Sequence, residues 1–133
     1  MTVSVINFDN PEVMQVPQAG GQNLFFCSGV AVVNFAGTSN DFQRDELVFL
    51  VPSEAAGVGN PPPLPIPSFV DSVVTVVPAT VQNTDPADTV GWGIDNADSV
   101  IDGNNNIQVT ATIVVKEETA TVLRVAYHAV ILG

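Results

Sequence analysis

The chain has 133 residues and a formal net charge of −11, with 14 acidic residues against three lysines and arginines. Its 46% hydrophobic and 13% charged content excludes intrinsic disorder and describes one folded domain over residues 1–133. Arg44, Lys116 and Arg124 are too few and too scattered to neutralise a phosphate backbone, which excludes nucleic acid; no apolar run approaches the ~20 residues of a membrane-spanning helix, so no membrane insertion is expected.

Runs of Val, Ile, Thr and Phe broken by Gly, Pro, Asn and Asp recur along the chain, and helical periodicity is almost absent. The predicted strands are 2–8, 24–35, 46–51, 69–77, 89–94, 107–115 and 120–132. Seven or eight strands in this length predict an all-β fold: an antiparallel two-sheet β-sandwich, jelly-roll or immunoglobulin-like in architecture.

The opening Met1-Thr2-Val3-Ser4-Val5 lacks a basic segment followed by an apolar one, so no secretory signal is read there. The compartment stays open, with an extracellular or particle-associated setting favoured. Residues 11–22 are a predicted link carrying the turn signal Ala19-Gly20-Gly21. In the strand 24–35, Phe25, Cys27, Ala31, Val33 and Phe35 point one way while Leu24, Phe26, Val30 and Val32 point the other. Cys27 is the sole cysteine, which excludes an internal disulfide, and its apolar neighbours predict a buried, inert thiol.

The segment Asp41-Phe42-Gln43-Arg44-Asp45-Glu46 reads as a charged turn. Residues 51–67 read as a long connection ending in Asn60-Pro61-Pro62-Pro63-Leu64-Pro65-Ile66-Pro67. That run resembles a polyproline II ligand but lacks the flanking cation such ligands carry; a stiff crossover, or an arm lying on a neighbouring subunit, suits it better. The strand 69–77 is, like 24–35, apolar on both faces. Strands of this kind belong in the middle of a sheet whose outer surface is covered. A domain this small has little material for such a cover, so a second copy of the chain is expected to supply it, making a homo-oligomer.

Gly91-Trp92-Gly93 sets the only tryptophan between two residues without side chains. An indole on a sheet surface can stack on a sugar ring, with Asp95, Asn96 and Asp98 beside it to bond hydroxyls; more often, such a Trp packs into the core and the glycines relieve crowding or mark a bulge. The stretch 95–105 is rich in oxygen ligands. Asp95, Asp98, Asp102 and Asn104 form the candidate set for Ca²⁺, without the register of an EF-hand, and Asn and Asp are also ordinary turn formers. Gly103 after Asp102 is the strongest turn signal in the chain.

In 107–115 the odd positions Ile107, Val109, Ala111, Ile113 and Val115 are apolar, and in 120–132 so are Leu123, Val125, Tyr127, Ala129 and Ile131. Both odd faces are predicted to point inward. Sequence adjacency predicts a hairpin between the two, pairing Ile113 with Leu123 and Val109 with Tyr127, with His128 opposite Gln108 and Arg124 opposite Thr112. No acidic partner stands beside His128 in that register, and none of the familiar nucleophile, phosphate-loop or zinc motifs is present, so no enzyme is expected. The leading expectation is a non-enzymatic structural or assembly protein, self-associating through apolar sheet faces and the Pro-rich arm. The alternative is a carbohydrate-binding module, Ca²⁺-assisted or without cofactor, around Trp92 and the 95–105 stretch, with a glycan as partner.

Overall fold

A computed structural model of the chain describes residues 2–36, 39–54, 61–83, 91–117 and 121–133. Among these are seven strands: β1 (Thr2–Pro17), β2 (Asn23–Ala36), β3 (Ser39–Leu50), β4 (Asp71–Asn83), β5 (Gly91–Ile101), β6 (Ile107–Glu117) and β7 (Thr121–Leu132). They form two antiparallel sheets, ordered β1-β2-β7-β4 and β3-β6-β5. This is the predicted all-β sandwich. No helix among the described residues is long and apolar enough to cross a membrane.

The pairing is nested. β2 meets β7, and β3 meets β6, so the chain folds back on itself and winds into two layers. The immunoglobulin constant-type order pairs the fifth strand into the four-stranded sheet and the seventh into the three-stranded one. Here those two are exchanged, so the strand order departs from that of an immunoglobulin constant-type domain.

This arrangement overturns the expected β6–β7 hairpin. β6 pairs with β3 and β5, whereas β7 pairs with β2 and β4. The inward stripes are as expected: Ile107, Val109, Ala111, Ile113 and Val115 on β6, and Leu123, Val125, Tyr127, Ala129 and Ile131 on β7, are all buried. They belong to opposite layers of the sandwich, not to neighbouring strands of one sheet. His128 therefore pairs with Ser28 and Thr75, and Arg124 with Val32 and Thr80. Residues 118–120, between β6 and β7, lie outside the described residues.

Several strands run beyond their predicted bounds. β1 continues to Pro17 because the irregularity between Asp9 and Glu12 absorbs Asn10 and Pro11, and an edge strand tolerates a missing N–H. The predicted link shrinks to the turn itself, closed by Gln18 N–H donating to Gln22 O at 2.8 Å. Gly20 and Gly21 there have φ of 88° and 84°, a region open to glycine at no steric cost. The 41–46 segment is strand, not turn, and extends β3. β5 likewise runs through to Ile101, and Gly103 sits in the β5–β6 turn, where Asp102 Oδ1 accepts from Asn104 N at 2.8 Å and Asn106 N at 3.0 Å.

The core is packed from both layers. Phe8, Phe49 and Tyr127 form an aromatic cluster with ring centroids 4.9–6.2 Å apart. Tyr127 Oη donates across the sandwich to Pro52 O. The seams between the sheets are closed by Val3 N–H donating to Asp45 Oδ2 (3.1 Å) and by Ser72 Oγ against Ser99 Oγ (2.7 Å). The Pro-rich segment packs on its own domain: Leu64 N–H donates to Val51 O, Ile66 N–H to Asn105 O at 2.7 Å, and Ser53 Oγ to Pro61 O. Ile66 is buried and plugs one end of the core.

Candidate functional site

Two surfaces stand out. The first is the outer face of the β1-β2-β7-β4 sheet. The alternation that sends odd residues of β2 and β7 inward sends their even residues out, and the register aligns these into rows. One row runs Met14, Phe26, Val130, Val73 across all four strands, with exposures of 58%, 37%, 39% and 67%. Beside it, Val16, Leu24 and Leu132 make a second apolar row that ends at Asp71. The following row is polar (Glu12, Ser28, His128, Thr75), and beyond it Asp9 pairs with Arg124 at 2.6 Å. The doubly apolar strand 24–35 lies inside this sheet, as expected. The strand 69–77 does not: β4 is an edge, and Val73 and Val77 are exposed.

Cys27 and His128 stand on opposite faces of this sheet, Cys27 inward and His128 outward. Burial pushes the Cys27 thiol up to about 11, which leaves it protonated and unreactive at neutral pH. Burial, and secondarily the neighbouring Cys27, also raises Tyr127 above its ordinary value. No nucleophile–base pair forms from these groups.

The second surface is one end of the three-stranded sheet. Trp92 and Ile94 face inward and pack on the core, Trp92 in register with Val115. Gly91 and Gly93 face out. Phe42 and Arg44, on β3, reach over β6 towards β5: the Phe42 ring lies 3.8 Å from where a Gly91 Cβ would stand, and Arg44 Nη1 bonds Asp95 Oδ2. Asp95 is the extra residue of a bulge between Ile94 and Asn96. Lys116 Nζ sits 6.0 Å from the Phe42 ring centroid. A depression of about 350 Å³ remains, with Phe42, Arg44, Gly93 and Asp95 among its lining. Below it, in the row of Trp92 and Val115, Gln43 keeps a buried Nε2 without a partner, which makes this a poorly satisfied end of the core.

The residues expected to hold Ca²⁺ do not converge. Asp95 is engaged by Arg44, Asp98 Oδ1 accepts from Ser99 N, and Asp102 holds its turn. Residues three apart on a strand are separated by ~10 Å, too far to share an ion. Among the described residues, no three of His, Cys, Asp and Glu are grouped to bind a metal. Asn96 and Asp98 point outward on β5 at successive steps, and Asn104 is exposed in the turn. Asp85 and Asp88 lie outside the described residues. Phe42 and Arg44, read in the sequence as part of a charged turn, are not connected there with Trp92 because they lie some fifty positions upstream and meet β5 only across β6. No protein-family model matches this chain, and no curated protein or solved structure matches it either.

Proposed function

We propose that this protein is a non-enzymatic structural subunit that assembles with further copies of itself through the outer face of the β1-β2-β7-β4 sheet. The observation that carries the reading is the row Met14–Phe26–Val130–Val73, four apolar side chains abreast and open to solvent. Contiguous apolar patches of several hundred Å² are unusual on a monomer and mark interaction surfaces. Four strands some twelve residues long present a face of about 20 Å by 40 Å, and the two apolar rows occupy roughly a third of it.

A second copy fits this face better than a partner of another kind. An isologous contact sets apolar row against apolar row and keeps the polar row and the Asp9–Arg124 pair at its margin. A strongly cationic partner would find little charge here to engage. Addition of strands edge to edge is disfavoured by the irregularities in β1, the bulge in β5 and the break between Pro78 and Thr80 in β4. The Pro-rich segment packs on its own domain, and the proposal places the contact on the sheet face.

Light scattering across a wide concentration range is the test. The wild-type chain is expected to have a mass of two or more chains, and Val130→Glu to weaken association at least ~100-fold while the melting transition persists. A mass of one chain at every concentration would refute the proposal.

A further inference from the structure

We infer that the depression over Gly91 and Gly93 is a binding site for a short, neutral saccharide. The argument begins with Gly93. It has an ordinary strand conformation, and a Cβ placed on it would meet nothing within 4 Å. Neither the backbone nor the packing calls for glycine there, although glycine inside a strand weakens it. What its missing side chain does provide is open space, and that space is the depression of about 350 Å³.

The walls define the ligand. Phe42 is largely exposed, its ring flanked by Lys116 on β6 and lying over Gly91. A pyranose carries C–H groups that sit against such a ring and hydroxyls around its edge. Arg44 and Asp95 stand at the rim with more than half of each side chain exposed, one a multiple donor and the other an acceptor. Adjacent sugar hydroxyls both donate and accept, so they can bridge this pair without separating it. A cationic ligand would have to displace Arg44 from Asp95. An anion would approach a chain of net charge −11. The volume lies near the lower bound of small-ligand sites, which suits one or two rings in place of a long chain. Trp92 lines the same depression from the core side, and as the only tryptophan it reports on occupancy.

The experiment titrates the full chain with cellobiose, maltose, lactose and chitobiose to ~10 mM, within reach of millimolar affinity. Trp92 fluorescence and the ¹⁵N–¹H shifts of Gly91 and Gly93 are followed. At least one disaccharide is expected to give a saturable change at these reporters. Gly93→Val, whose Cβ would meet nothing within 4 Å, should weaken that binding at least ~tenfold while leaving the melting temperature unchanged or raised. Phe42→Ala and Arg44→Ala should weaken it as well. Absence of a saturable response to all four sugars, or unaltered binding by Gly93→Val, would overturn the assignment. Neither result bears on the oligomeric state, because the depression and the apolar row lie on different sheets.

Discussion

Gly29→Ala is a one-methyl test of how the core is built. Gly29 sits opposite Tyr127 in the β2–β7 register, and the tyrosine ring lies across it on the inward face. A Cβ at Gly29 would stand 2.5 Å from Tyr127 Oη, 2.9 Å from Cζ and 3.1 Å from the Cα of Pro11. The first two distances are shorter than real contacts allow, and Pro11 closes the other side with backbone. The ring must therefore move, and moving it disturbs the hydrogen bond to Pro52 O and the packing on Phe8 and Phe49. Overpacking a core costs about 1–3 kcal/mol. A buried carbonyl left without its donor costs about 1–3 kcal/mol more. Because the φ of Gly29 is unstrained for alanine, the substitution would stabilise by ~0.4–1 kcal/mol through the unfolded chain if sterics allowed it, so the sign itself is informative. A net loss of about 3 kcal/mol is expected, read as a fall in the urea midpoint of ~1–2 M. In a Tyr127→Phe background the closest atom is gone, and the cost of Gly29→Ala should drop by at least ~1 kcal/mol. A Gly29→Ala protein within ~0.5 kcal/mol of wild type, or full additivity in the double variant, would refute this account.

Two further outcomes are expected. Ile66→Ala should destabilise by about 2–5 kcal/mol in urea unfolding, because the side chain is fully buried and plugs the core from the Pro-rich segment; a loss below ~0.5 kcal/mol would mean the segment merely rests on the surface. Alkaline pH should destabilise the fold. Cys27 and Tyr127 both hold their protons more tightly when folded, so their contribution is complete below the unfolded values and is lost as pH rises. For Cys27 that window runs from 9.0 to about 11, and the melting temperature of Cys27→Ala should fall less steeply across it than that of wild type.

Periodicity makes the inward faces of the strands legible from the sequence. The odd stripes of 107–115 and 123–131 had to be buried, because a strand alternates its faces and only one alternate set was wholly apolar. The candidate sites are only partly legible. Trp92 takes the core-facing setting, the commoner of the two the sequence allows, because its neighbours along β5 share the pattern of a core-facing strand, and residues of the oxygen-rich stretch form a bulge, an ion pair and a turn. Phe42 and Arg44, which frame the depression, carry the local signal of a charged turn and none that ties them to β5.

Alternation within a strand is a local property, set by backbone geometry and side-chain polarity, so sequence alone determined which residues would be inside. Which strand lies beside which is a non-local choice. An inward stripe is equally satisfied by a neighbour in its own sheet or by the sheet across the core, and only the tertiary structure decided that β6 and β7 face each other through the core and do not lie side by side. The same winding lined up Met14, Phe26, Val130 and Val73 from four separate strands into one exposed row.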